Sequence, residues 1–529
     1  MEIRMESKSG AVVGALPQVV DSISQQVGKR PQEWLDELSG DPGKFSKVER
    51  AVHETFRQWA DQMVAGLLAV ASRASPALEA AKQEIVQQAA APLRAGERRT
   101  TMLRLLGGLV VWVTTLYCGP AARTGCKRGR HGAGLYPELA AYEIRGGVTP
   151  ELASELARWS VLLSSYEATR RELERRGLRL DVKVVHRIAR QVGAEVLGAR
   201  TEMLQQYRLG KLAVGIVLAG KRVGVAFDGG RVKTRKGVRK VRDKQTGKKR
   251  RVPYRTEWRE PKLVIIFQLD ERGRMKRGTE PWIDGTFGGP DAIMELAAMH
   301  LHRLGAVQAT EVVFLGDGAP WIWERVEWVW RRVGLEAWRV VCVLDWCHAM
   351  HQVSLALQQL GLKESERHRR YRELRQWLRT SQWRRVVDQL AQWGKGLAKK
   401  SDYWTKLSYL ENHGLAGRLA YLKFRRRGIP IGSGAIESAI RRVVNLRLKG
   451  NGITWLAGNA EAALVLRAAE LTGRWDETLT HARRVLASRR RLDWSWKSPN
   501  LRKTLKSPES IRPPSAQLQA TSAPIRAAA

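Results

Sequence analysis

Apolar residues recur at three- and four-residue spacing through SKVERAVHETFRQWADQMVAGLLAVASRA, where Val48, Val52, Phe56, Trp59, Met63 and Leu67 form one stripe. That period predicts an amphipathic helix, and residues 1–97 read as a helical region. From 98 to 145 the pattern turns irregular and Gly-rich. The uncharged stretch Leu105 to Ala122 reads as a buried β segment, because Gly-Gly, Thr-Thr and Gly-Pro leave its apolar run short for a membrane span. Helices return from Thr149 to about Leu209. There SYEATRRELERRG, a GLRL turn and DVKVVHRIARQVGAE read as two helices, with Asp181 as N-cap of the second. Either a helix-turn-helix or an ordinary hairpin with a solvated basic face fits this spacing.

After Lys211 the period shortens to that of strands. KRVGVAFDGG, PKLVIIFQLDERGR, TEVVFLGDGA and WRVVCVLDWCH each carry β-formers ending at Asp, with a further strand expected at about Met275–Ile283. PDAIMELAAMHLHRLG and APWIWERVEWVWRRVG between them are helical by spacing. Strands alternating with helices predict an α/β domain. The pattern is helical again from His348 to about Leu422, and a last helix begins near Gly434. Residues 491–529 lack periodicity and are expected to be a disordered basic tail.

Composition adds charge. The chain has 529 residues with 92 Lys+Arg against 52 Asp+Glu, a formal net charge of +40, while 43% hydrophobic residues supply a sizeable core. Such an excess repels itself unless a polyanion is near, and nucleic acid is the expected partner. No apolar leader follows the start MEIRMESKSG, so the protein is expected in the cytoplasm with no membrane partner. Four scattered cysteines cannot form a disulfide framework. Cys118, Cys126 and His131 lie close in sequence but lack the fourth ligand of a structural zinc site.

Asp228 ends VGVAFD and Asp317 ends VVFLGD, 89 residues apart. If their strands are neighbours, both carboxylates reach one crevice, as hard divalent cations require. Each Asp-Gly alone also reads as a plain turn. Glu437, in PIGSGAIESAIRRVV, falls in the first turn of an amphipathic helix, where it also complements the helix dipole. GSGAIE lacks both the third Gly of a dinucleotide fingerprint and the GK[ST] of a phosphate loop.

DGG at 228, GDGAPWIW at 316, LDWCH at 344 and PIGSGAIES followed by RLKGNGITW together resemble bacterial insertion-sequence transposases of the Kra and Lre types, over about Lys221–Trp475. The resemblance implies a DDE transposase: an α/β ribonuclease H-like catalytic domain with a helical insertion, preceded by a mainly α-helical N-terminal region. Residues 98–215 would then hold the irregular segment and a possible helix-turn-helix. Residues 216–352 would open the catalytic domain, 353–428 would be its insertion, and 429–490 would bring its Glu-bearing helix. Asp228, Asp317 and Glu437 would be catalytic and would bind two Mg²⁺ (or Mn²⁺) ions, suited to in-line displacement at phosphorus. The partners implied are double-stranded DNA, as terminal inverted repeats and target, and further copies in a homo-oligomer at the bacterial nucleoid. Asp345 and His348 match a DxxH element of related eukaryotic transposases, which makes them accessory groups near the active site. A Cys347–His348 thiol pair is disfavoured, since adjacent side chains point apart.

Two basic stretches suit a DNA substrate. In Arg231–Arg255 the expected phosphate contacts are Arg231, Lys233, Arg235, Lys236 and Arg239, then Lys240, Lys248, Lys249, Arg250 and Arg251. Lys183, Arg187 and Arg190 of the second paired helix are expected to join them. RHRRYRELRQWLRTSQWRR interleaves Arg with Tyr371, Trp377 and Trp383, which either stack unpaired bases or form the insertion's core. A nuclease or resolvase without strand transfer, and a catalytically idle DNA-binding protein, are the alternative functions.

Overall fold

The structure, a computed structural model, describes residues 1–5, 16–73, 75–87, 93, 96–119, 135–235, 240–242, 245–247, 249–251 and 255–489. Cys126, His131, Lys236, Arg239, Lys248 and the tail lie outside them, and of Lys240, Lys249, Arg250 and Arg251 only the backbone is described. The chain is mixed α/β. It divides into two compact units: residues up to Ala199 with the stretch from Asp476, and Arg200–Trp475. Among the described residues no helix is long and apolar enough to cross a membrane.

In the first unit, β1 (Glu2–Met5) precedes the helices α1 (Leu16–Gly40), α2 (Phe45–Ala71) and α3 (Pro76–Gln87). Strands β2 (Glu97–Arg104) and β3 (Val110–Tyr117) follow, and then α4 (Pro137–Ala141), α5 (Pro150–Leu162), α6 (Tyr166–Arg175) and α7 (Val182–Arg208). The stretch expected to be irregular is thus an antiparallel hairpin, and β1 joins it in the order β1-β3-β2. Its turn is held by Asp61, whose buried carboxylate accepts from the Gly107 and Leu109 amides at 2.9 and 2.8 Å. Ile3, Leu103, Val111 and Val113 meet Val19, Ala65 and Ala69 of α1 and α2 in one core.

The second unit is built on β4 (Arg222–Gly229), β5 (Val232–Arg235), β6 (Lys240–Arg242), β7 (Lys249–Arg251), β8 (Thr256–Arg259), β9 (Lys262–Gln268) and β10 (Trp282–Thr286). Next come α8 (Pro290–Arg303), β11 (Glu311–Gly316), α9 (Pro320–Trp323), α10 (Val326–Val333) and β12 (Val340–Leu344). Five strands form one mixed sheet, β10-β9-β4-β11-β12. β9 is antiparallel to β4 and β10, whereas β11 is parallel to both β4 and β12. β10 starts seven residues later than the pattern suggested. Gly273 and Gly278, both at φ +73°, bend the intervening chain into turns that no strand could follow.

Val223, Val225 and Phe227 of β4 point into a core shared with α8 and α10. Successive strand residues alternate faces, so Asp228 turns to the other side, where the carboxyl-terminal helices pack. The helices α11 (Trp346–Gln358), α12 (Glu364–Arg379), α13 (Trp383–Trp393), α14 (Asp402–Leu415) and α15 (Tyr421–Arg426) are the helical run expected after the last strand, the stretch read as an insertion. The chain then returns through α16 (Gly434–Ala439), a π-helical stretch Ile440–Asn445, α17 (Leu446–Leu448), α18 (Ala457–Leu471) and α19 (Trp475–Arg489).

A buried ionic network ties this unit together. Arg200 donates to Asp284 at 2.9 Å and to Glu461 at 2.5 Å, while the ring of His300 sits 2.8 Å from Asp284. Replacing Arg200 with Met leaves Asp284 and Glu461 facing each other with no guanidinium between them. We expect Arg200→Met to cost about 3–5 kcal/mol in urea denaturation.

Candidate active site at the ends of three neighbouring strands

Phe227 pairs with Gly316, and Gly316 with Leu344, across the three parallel strands. One residue further on stand Asp228, Asp317 and Asp345, in a row across strands about 4.8 Å apart. The Asp345 amide continues the ladder by donating to the Gly316 carbonyl at 2.9 Å. Two of these carboxylates were expected side by side, and the register brings them there. α16 packs on β4 and β9, which carries Glu437 to the same face as Asp228.

Each group is held differently. Asp228 Oδ1 accepts from the Gly229 amide and Asp317 Oδ1 from the Ala319 amide. Asp317 is followed by Gly318, where a β-carbon would overlap the Tyr409 ring of α14. That glycine lets the insertion close over the strand end. Ser433 Oγ donates to Glu437 at 3.0 Å. Asp345, only 1% exposed, caps α11 by accepting from the His348 amide at 2.9 Å and accepts from the Ser433 amide at 2.5 Å. One carboxylate therefore fixes both the start of α11 and the start of the helix that bears Glu437.

Electrostatics separates the acids. Burial, with the negative charges of Asp317 and Glu437, pushes the Asp228 carboxyl up to about 6, against opposing pulls from the Gly229 amide and His348. Burial also works against Asp345, but hydrogen bonding from His348 and Ser433 outweighs it and holds this carboxyl at about 2. The His348 ring, with Nδ1 3.2 Å from Asp345 Oδ1, is raised by that neighbour against the effect of burial. Cys347 is raised by burial and by Asp345 and Glu437, which suits an inert thiol.

Among the described residues, the set whose ligand atoms all lie within 4.8 Å of one another is Asp345, His348 and Glu437, without Asp228 or Asp317. Its imidazole makes it a poor match for Mg²⁺, which prefers oxygen, and the Asp345 oxygens already accept from two amides. Asp228, Asp317 and Glu437 offer only oxygen. Among the described residues none of the three pairs with Lys or Arg, so their mutual repulsion lacks a fixed cation. By chemistry this oxygen-only set suits a hard divalent ion, while its ligand atoms do not all lie within 4.8 Å of one another.

The basic residues scatter more. Lys233 and Arg235 of β5 lie opposite Trp258 and Thr256 of β8, a few residues from Asp228. Arg231 is exposed beside them. Trp258, which the sequence reading passed over, is 59% exposed on this ribbon. A lone Trp in a basic stretch was the available signal. Lys183 is exposed and Arg190 half-buried. Arg187 turns inward instead: Nη2 donates to the Gly146 carbonyl at 2.9 Å, and burial lowers its guanidinium below the usual range. Of the interleaved aromatics, Trp377 is buried beneath Arg385, 4.1 Å from its ring centre, and Trp383 packs on Gly414. They belong to the insertion's core because the side chains of α12–α14 need an apolar centre.

No family model, curated protein or solved structure matches this chain.

Proposed function

We propose that the chain is a DNA-cutting and DNA-joining enzyme, a DDE transposase with a ribonuclease H-like catalytic domain, as its motifs resemble. The observation that carries the reading is the convergence of Asp228, Asp317 and Glu437 on one face, at the ends of two parallel strands and the helix that covers them. The strand order, three antiparallel strands followed by two parallel ones, with a helical insertion after the last, is compatible with that fold.

Asp228, Asp317 and Glu437 would hold the divalent ions. When bound, two such ions stabilise the attacking and leaving oxygens of an in-line displacement at phosphorus. The other side chains align and neutralise the substrate. Lys233 and Arg231 meet phosphates next to the carboxylates. His348, whose ring Asp345 raises above the ordinary histidine value, stands at the same edge. Trp258 offers a flat face to an unpaired base near the cut end. For Trp258→Ala we expect about 1–3 kcal/mol weaker binding of a single-stranded oligonucleotide carrying 2-aminopurine, with Trp258→Tyr retaining most of it. The fluorophore's quenching reads the stacking directly.

The reading is tested with plasmid DNA and Mn²⁺. Joined as well as nicked products support a transposase, nicked products alone support a nuclease or resolvase, and binding without either supports an idle DNA-binding protein.

A further inference from the structure

The stripe that marked α2 as amphipathic is only partly used. Val48 and Trp59 are buried, and Trp59 Nε1 donates to Gln26 of α1 across the hairpin at 2.9 Å. Gly66 lets the helices close on Leu16 and Val19. Phe45, Phe56 and Leu67, by contrast, remain 62%, 55% and 50% exposed. Each is eleven residues from the next, three helical turns, so they stand in one line about 33 Å long. Of the eighteen large apolar side chains exposed among the described residues, eight fall within Leu16–Ala71. An apolar row of this kind marks an interaction surface.

Charge decides what covers it. Leu16–Ala71 carries six Lys/Arg and eight Asp/Glu, a net −2, in a chain of net +40. Nucleic acid has no reason to settle on this hairpin, and another copy of a strongly basic chain meets its least repulsion there.

We propose that α2 is a dimerisation helix, packed antiparallel on α2 of a second copy about a two-fold axis at Phe56. The spacing is its own mirror. The axis sets Phe56 on Phe56, and Phe45 on Leu67 of the second copy, so one stripe satisfies both sides, as an isologous interface requires. The same arithmetic sets Glu49 against Met63, Glu54 against Gln58 and Arg50 against Gln62, so no like charges face each other. This surface stands whether or not the chain cuts DNA.

Sedimentation velocity of the full chain, at about 0.5 M salt to screen its charge and from about 1 to 50 µM, tests it. The wild type sediments as a dimer. Phe56→Glu, which would bury two carboxylates against each other at the axis, weakens the dimer at least about 100-fold while the melting temperature of the monomer is unchanged. Phe56→Cys gives a reducible covalent dimer on mild oxidation, beyond any seen with wild type. A monomeric wild type over the whole range, or Phe56→Glu and wild type dimerising equally, overturns the proposal. So does a stripe that binds a different protein while the chain stays monomeric.

Discussion

Asp228→Asn is expected to raise the melting temperature of the metal-free protein and, on the proposed function, to remove DNA cutting. The Asp228 carboxyl titrates at about 6 in the fold against 3.8 for an ordinary Asp. A folded value above the unfolded one means that the charged form costs stability, fully so above pH 6 and not at all below about 4. With solvent screening of a partly exposed group, this is worth about 1–2 kcal/mol at pH 7.5. The variant removes that cost and should melt about 2–4 °C higher. The gap closes as pH falls through 6 towards 4. Mn²⁺ should then raise the melting temperature of the wild type and leave the variant almost unmoved, because a ligand stabilises only a fold that binds it. Cutting falls at least about a thousandfold. In the wild type it also declines as pH drops through about 6, with a midpoint that moves down as Mn²⁺ is raised. Differential scanning fluorimetry beside plasmid nicking reads both halves.

Asp345→Ala has the opposite signature. This carboxyl titrates at about 2, below the unfolded 3.8, so its charged form adds stability above about pH 4, lost as pH falls towards 2. Alanine leaves the buried Ser433 amide without its acceptor and α11 without its cap, a cost of about 2–4 kcal/mol. It also frees the helix that carries Glu437. Displacing a carboxylate by about 1 Å can cost a hundredfold in rate. On the proposed function, Asp345 is a positioning residue. Its loss should lower both melting temperature and nicking, while Mn²⁺ affinity falls less than in Asp317→Asn. Equal losses of affinity in the two variants would make Asp345 a ligand instead.

Asp228 and Asp317 were legible as strand ends because each follows a run of β-formers and precedes Gly; that β4 and β11 are parallel neighbours at a register that sets the two side by side is a fact of the fold. The role of Asp345 was not legible. Its acceptor duty depends on Ser433, 88 residues away, and only folding brings that amide near. The same holds for β1, four residues whose partner β3 lies more than 100 positions on. Local patterning could not distinguish it from a polar leader to a helix. Arg187 looked free on its helix face, but the face is occupied by the Gly146 loop. The α2 stripe was legible as a stripe; which half of it stays uncovered is a tertiary fact.

The most direct test is Mn²⁺-dependent nicking of supercoiled plasmid by wild type, Asp228→Asn, Asp317→Asn and Glu437→Gln, each first shown to be folded. Three carboxylates acting as one site predict cutting by the wild type and a loss of at least about a thousandfold in every single variant. A wild type that leaves the plasmid intact, or any of the three variants cutting as fast as the wild type, contradicts it.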